Sequence, residues 1–459
     1  MIAGLDIGTS GVKGLALDVD GTVVARAEAG YRLSTPRPGW AEQDPEDWWR
    51  AAQEVLAALG PVEGIGLSGQ MHGLVALDSA DRVLRPAILW NDQRTTAECR
   101  EIEALLDFEV LGNPVLEGFT APKLRWIERH EPEVFARIAK VMLPKDYVRL
   151  RLTGEHASDV ADASGTLWLD IAGRRWSDAV LDALGVERAW LPRLLESPAV
   201  SGTTPDGVPV AAGAGDQAAG ALGVGVDRVG APLSVVLGTS GVVFAAQPGY
   251  APDPRLHTFC HAVPGAWHQM GVMLSAAGSL AWLVDALRDG YDTLLGEAGD
   301  WPAGAEGLTF LPYLAGERTP HADPDARGAF VGLSLRHDRG ALVRAALEGV
   351  AFGLRDALDL IGNPPAVARV SGGGARSDLW LEIVASVLEL TIERVAVDEG
   401  AAYGAALLGG VAAGVWPDVH AAAAVVRPTQ RIDPRPEWID PYREAHGRFR
   451  ALYPALRNV

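Results

Sequence analysis

The pentapeptide Gly8-Thr9-Ser10-Gly11-Val12, inside IAGLDIGTSGVKGLALD (2–18), recurs letter for letter as Gly238-Thr239-Ser240-Gly241-Val242, inside PLSVVLGTSGVVFAA (232–246). Each copy is flanked by runs of Val, Ile and Leu, a pattern that predicts strand, tight turn and returning strand. Glycine lets the backbone N–H groups of such a turn converge, and Thr and Ser add hydroxyl donors, which together suit a phosphate. One copy alone is compatible with an ordinary hairpin turn. Two copies, one in each half, predict a chain that grips phosphate twice. Asp6 precedes the first copy whereas Leu237 precedes the second, so metal handling is expected of the first half.

Bulk properties narrow the partners. The chain has 459 residues and 48% hydrophobic content, enough for two domains with substantial cores. Net charge is −19, and of the 40 basic residues only those at 13, 123, 140 and 145 are lysine, so no basic stripe exists for nucleic acid or an anionic membrane. Backbone N–H groups, helix N-termini and a bound cation would make a polyphosphate site locally positive within an acidic protein. The start MIAGLDIG has no signal-peptide pattern and no long apolar run follows, while Cys99 and Cys260 are too few for a disulfide framework. A cytoplasmic protein is expected.

Strands are predicted over 2–5, 13–19 and 22–26, with Asp20-Gly21 as a two-residue hairpin signal. A helix is predicted over 45–59, with Asp44 as N-cap, Pro45 at the first helical position and Gly60 as the stop. VEGIGLSG (62–69) reads as a strand, and GLVALD (73–78) and VLRPAILW (83–90) as a hairpin. Residues 92–195 are mostly helical in periodicity. SPAVSGTTPDGVP (197–209) reads as a boundary loop or a simple surface loop. Domains are expected over 1–225 and 226–459. The helices predicted around 216–224 and 399–414 are dense in Ala and Gly, which suits either close packing between two halves or a general compositional bias.

Several residues have the chemistry of a site. Asp6, at the end of the first strand, is placed to hold Mg²⁺ against phosphates, or to accept turn N–H bonds. Lys13 would reach a phosphate or be solvated. Asp216, in GAGDQAAG between strand and helix, is the leading candidate for a base that takes the proton of an attacking hydroxyl, with an N-cap role as the alternative. Gly372, Gly373 and Gly374, followed by Ala375 and Arg376 in SGGGARS (371–377), would let an adenine or ribose approach the backbone, or would only close a strand-to-helix turn. Gln70 and His72 in GQMHG, with Trp90, Asn91, Asp92 and Arg94 in LWNDQR, form the mixture of planar hydrogen-bonding groups and an aromatic floor that recognises sugars. Taken singly, His72 and Trp90 are equally compatible with core positions.

These segments occur together in one order. DIGTSGVK, SGQMHG, PAILWND, GFTAPKLRW, LPKDYVRLRLTG, GDQAAGA, LGTSGV, LPYLAGERTPH, LEGVAFGL and SGGGARSD make the chain resemble the FGGY carbohydrate kinase family from residue 1 to about 412. GFTAPKLRWIERH (118–130) fits the family's first signature, and 328–348 fits the second except at Ala341, where a polar or acidic residue is usual. Gln217 departs from the Asn found in several members. The resemblance implies two ribonuclease-H-like domains of the actin-like ATPase fold with ATP in the cleft between them. Gly8, Thr9, Ser10, Gly11 and Lys13 would hold phosphate from one side and Gly238, Thr239 and Ser240 from the other. Residues 372–376 would border the adenine, Asp6 would organise Mg²⁺, Asp216 would be the base, and Met71 and His72 would contact the sugar. The implied reaction converts D-xylulose and MgATP to D-xylulose 5-phosphate and ADP; another ketopentose, a polyol or glycerol is the alternative acceptor. Related kinases are often dimers, so a homodimer is compatible with the resemblance.

Overall fold

Each glycine-rich turn joins the first two strands of its own sheet in the computed structural model, which describes residues 1–457 apart from positions 363 and 398. The chain begins β1 (Ile2–Ile7), β2 (Gly11–Leu17), β3 (Val23–Gly30), α1 (Pro45–Leu59) and β4 (Gly64–Gly69). β1 pairs antiparallel with β2 and parallel with β4. Helix α1 forms as predicted: the Asp44 carboxylate accepts the Glu46 N–H at 3.0 Å, and Gly60 ends the helix at φ +81°. Its buried stripe of Trp48, Ala51, Ala52, Val55 and Leu59 has helical spacing and lies on β2 and β3. The Asp20-Gly21 turn is wider than predicted. Asp18 accepts the N–H groups of Asp20 and Thr22 at 3.0 and 2.8 Å, so an Asx turn spreads the connection over residues 18–22.

The first half continues through α2 (Thr120–His130) and α3 (Pro144–Thr153) to β5 (Val200–Thr203), β6 (Pro209–Ala211), β7 (Ala214–Gly215) and α4 (Asp216–Gly223). The stretch read as a loop at 197–209 instead contains most of a β-hairpin. β5 and β6 pair antiparallel around Gly207 at φ +84°, and β6 joins β4. The Ser, Thr and Gly content of β5 resembles a loop because an edge strand this short carries little apolar alternation. The runs at 73–78 and 83–90 touch only through single bridges, while Val75–Leu77 pairs with Lys140–Met142 and Ala87–Ile88 with Glu42–Gln43.

The second half repeats the plan with β8 (Leu233–Leu237), β9 (Gly241–Gln247), β10 (His257–Cys260), β11 (Trp267–Met273), α5 (Ala277–Leu287), α6 (Arg339–Ile361), β12 (Val367–Ser371), α7 (Asp378–Leu388), β13 (Thr391–Val395), α8 (Gly400–Ala412) and β14 (Pro428–Ile432). β8 pairs antiparallel with β9 and parallel with β12, the arrangement of β1 with β2 and β4. The paired α/β domains expected from the resemblance are therefore present.

The halves interlock. α8 follows a strand of the second sheet yet lies on β1, β4 and α4 of the first. A β-carbon at Gly404 would sit 1.8 Å from the Ala219 carbonyl oxygen, one at Gly66 1.7 Å from that of Ala405, and one at Gly223 2.0 Å from that of Gly400. The Ala and Gly content of α4 and α8 thus has a packing cause at this junction. The β10–β11 hairpin also docks on the first half, where the Asn113 amide donates to Thr258 O at 2.9 Å and its oxygen accepts Thr258 N at 3.0 Å. Met71, Phe119 and Trp168 share one apolar core with Phe244, Phe259 and Met270.

Gly404→Ala sets two effects against each other. Helix propensity favours Ala by about 1 kcal/mol, whereas the clash is with backbone, and overpacking costs about 1–3 kcal/mol or more. Net destabilisation of at least about 1 kcal/mol is expected in urea unfolding. Gly296→Ala, in a helix with nothing within 4 Å of the added carbon, should be neutral or stabilising.

Candidate active site

Parallel register brings the candidate groups to one edge. Asp6 on β1 lies opposite Ser68 on β4, and Ser68 lies opposite Ala214 on β7, so the first glycine turn, Gln70 and Asp216 all leave the carboxyl ends of adjacent strands. In the second sheet Val236 lies opposite Ser371, which sets Gly238 beside Gly372. Ligands of open α/β sheets collect in such a crevice.

The two carboxylates are partly buried. Asp6 accepts the Ser68 hydroxyl at 3.1 Å; burial raises its pKa, against the opposing effects of that hydrogen bond and of Lys13. Asp216 is the first residue of α4, and Gly215 takes the N-cap position, so the N-cap alternative is not realised. The Gln217 amide donates to Asp216 Oδ1 at 3.3 Å. Burial, and then the charge of Asp6, pushes the Asp216 pKa up to about 7. A carboxylate poised there suits proton abstraction near neutral pH. The fit to a divalent cation is good: two oxygen-donor carboxylates share a site poor in water, and Asp6 would hold Mg²⁺ there. Behind them, wholly buried Lys145 pairs with Asp146 and Asp159 at 2.6 Å, and Arg149 donates to Ala212 O at 2.7 Å, bracing the strand that leads to Asp216.

The two turns differ in register and in bonding, for Ile7 lies opposite Val12 whereas Leu237 lies opposite Gly241. Tyr31 donates from its N–H to Ser10 O at 3.2 Å and from its hydroxyl to Gly8 O at 2.5 Å, while Gln43 donates to Thr9 O at 2.6 Å. The Thr9 hydroxyl donates to Gln70 Oε1 at 3.2 Å and accepts the Trp90 indole N–H at 3.0 Å, so its hydrogen-bonding is directed inward. Ser10 and Lys13 are exposed. In the second copy, Gly238 O and Thr239 O accept Ala277 N and Ala276 N, each at 2.8 Å, seating the turn on the start of α5. Turn carbonyls consumed this way leave the N–H side for an anion. Thr239 is exposed and Ser240 is partly buried.

The glycine run divides its duties. Gly372, at φ +90°, has no room for a β-carbon, which would lie 2.7 Å from Leu237 O, and one at Gly374 would lie 2.8 Å from Leu237 Cβ. Only Gly373 faces open space, so close approach of a ring fits Gly373 while its neighbours close the turn. Ala375 is buried and its carbonyl accepts Arg394 Nε at 2.7 Å; Arg376 ends the 3₁₀ turn Gly373–Arg376.

The expected sugar cluster is only partly assembled. Met71 is buried against Gly215, whose β-carbon would lie 2.7 Å from Met71 Cγ. His72 Nδ1 lies 2.8 Å from Gly165 O; burial first, then the charges of Lys123 and Arg318, lower its pKa to about 3 despite that bond. Trp90 is 37% exposed, and Asn91 is exposed in a groove with Trp40 and Gln93. Gln70 is buried and bonded to Thr9 and Gln43, a brace for the first turn. Asp92 and Arg94 pair with each other, Oδ2 to Nη2 at 2.6 Å, with Asp92 also accepting Ala41 N and Arg94 stacking over Trp40 at 3.6 Å. These three were expected to face sugar; Asp92 and Arg94 are instead tied to each other and to Glu42, because a buried charge needs its partner close, and the Gln70 amide is tied to Thr9 and Gln43. Tyr31, Gln43, Ser68, Thr120, Lys123 and Gly165 were missed; Ser68 carried a signal as a member of SGQMHG, and Thr120 and Lys123 as members of GFTAPKLRW.

Residues 1–223 match the model of the FGGY family of carbohydrate kinases, N-terminal domain, and residues 233–413 that of the C-terminal domain. The chain is 47% identical over 438 residues to a protein of Escherichia coli (strain K12) named xylulose kinase, covering 90% of each. It is 38% identical over 482 residues to a Lactococcus lactis protein of the same name, covering 98% of this chain and 96% of the other. The crystal structure of "a xyloylose kinase from Brucella ovis", 45% identical, superposes with a TM-score of 0.95 over 100% of this chain and 99% of that one.

The buried Asp216 carboxyl has a thermodynamic signature. A carboxyl whose folded pKa is raised binds its proton more tightly folded than unfolded; that stabilisation is full below the unfolded value of 3.8 and is lost as pH rises to about 7. Asp216→Asn should therefore unfold at higher urea than the wild type at pH 8, by about 1–4 kcal/mol. The difference should vanish below about pH 4.

Proposed function

Because the chain belongs to the FGGY family of carbohydrate kinases, we propose that it transfers the γ-phosphoryl group of ATP to D-xylulose, giving D-xylulose 5-phosphate and ADP. The observation that carries the reading is the Asp216 carboxyl, held near neutral pKa at the strand ends beside Asp6 and Met71. Asp216 accepts the proton of the sugar's terminal hydroxyl as its oxygen bonds to the γ-phosphorus, and the bond to the β–γ bridging oxygen breaks with its electron pair leaving on ADP. The N–H groups of both glycine turns, with Ser10, Lys13, Thr239 and Ser240, bind the phosphates, and Gly373 lies against the adenosine. Mg²⁺ held by Asp6 supplies charge neutralisation at the phosphate oxygens when bound. Met71 and His72 contact the sugar, and Trp90 covers it. No described helix is long and apolar enough to cross a membrane, and both cysteines are buried and unpaired, which supports a cytoplasmic enzyme.

Asp216→Asn should retain ATP binding by calorimetry and lose about 10²–10⁴-fold in sugar phosphorylation. Near-normal turnover would overturn the base assignment. A panel of acceptors assayed with ATP should show the highest kcat/KM for D-xylulose; preference for ribulose or glycerol would move the enzyme elsewhere within its family.

A further inference from the structure

His72 has an unusual backbone for a residue with a side chain. Its φ of +68° lies in the left-handed region, which costs about 1–3 kcal/mol and persists only where neighbouring contacts offset that cost. Two donors from one end of α2 converge on its carbonyl oxygen, Thr120 Oγ1 at 3.1 Å and Lys123 Nζ at 2.9 Å, and Lys123 also donates to Gly118 O. Lys123 is wholly buried and, among the described residues, makes no ion pair. A buried ammonium is expensive, and burial lowers its pKa to about 7 although the charge of Asp92 acts the other way. Its hydrogen bonds end on backbone, at the carbonyls of Gly118 and His72.

The ring is fixed from the other side. A carbonyl oxygen only accepts, so the 2.8 Å contact with Gly165 places the proton on Nδ1 and leaves Nε2 as an acceptor. Gly165 permits this approach, since a β-carbon there would lie 2.3 Å from Nδ1. Phe119, next to Thr120, packs on the ring with centroids 4.7 Å apart. The start of α2 thus grips both the backbone and the imidazole of His72.

We propose that Lys123 and Thr120 are positioning residues that lock His72 in its left-handed conformation, so that Nε2 is aimed at a sugar hydroxyl before the sugar arrives. This rests on the reading of His72 as a sugar contact. Releasing the carbonyl frees the peptide following His72 to rotate, and the imidazole swings with it. Sugar affinity then falls while the nucleotide site, built from the glycine turns, is untouched.

The test compares Thr120→Val, Thr120→Ser, Lys123→Met and His72→Ala in the full-length enzyme, with KM for D-xylulose, KM for ATP and kcat measured for each. Thr120→Val should raise KM for D-xylulose by about 3–10-fold, the worth of one hydrogen bond. Thr120→Ser should restore it, Lys123→Met should exceed it, and KM for ATP should stay within about 2-fold throughout. Should Lys123→Met not fold, the Thr120 pair decides alone. A rise in both KM values together, or no rise for Thr120→Val while His72→Ala does raise the sugar KM, overturns the positioning role and leaves the sugar reading intact. An unchanged sugar KM in His72→Ala removes the sugar contact itself, and the proposal with it.

Discussion

The contact between α8 and the first sheet is made by backbone. Carbonyls of Ala402, Ala405 and Ala219 occupy the space that β-carbons on Gly4, Gly66 and Gly404 would need. Side chains at this seam would hold the helix off by a residue's width, and the second sheet, which α8 leaves through β13, would move with it. The distance between the two glycine turns is thus set by the absence of atoms at a handful of positions. Since interiors are close-packed and deform little, such a seam transmits position faithfully.

A second dependence follows from desolvation. The site contains carboxylates at Asp6 and Asp216 whose pKa values burial raises, and an imidazole at His72 whose pKa burial lowers. Both shifts move these groups toward their neutral forms. A site arranged this way waits for charge to be brought by its ligands, and the cost of keeping it so is met by the interlocked cores on either side.

Legibility in the sequence followed the range of the interaction. Helix α1 was readable to the residue because its cap, its proline and its stop are local. The strand–turn–strand units were readable because hydrophobic runs bracket glycine. The β5–β6 hairpin was not, since β5 is short and polar and β6 is held in the sheet by β4, more than a hundred residues earlier. Residue type announced Gln70, Asp92 and Arg94 as polar groups near a cleft, yet nothing in the chain says which way a side chain turns. Lys123 illustrates the limit: GFTAPKLRW marks the segment, and only the fold shows backbone carbonyls accepting hydrogen bonds from its ammonium.

The bonding of Thr9 and Thr239 has a consequence for how the repeated pentapeptide is understood. One threonine is tied by its hydroxyl into a chain running from Trp90 through Gln70 to Gln43 and Trp48, and the other stands at the surface. Identical letters have come to serve different neighbours. What the copies hold in common is a glycine-rich link between two antiparallel strands; the link spans four residues in the first sheet and three in the second, and the same side chains along it make different contacts.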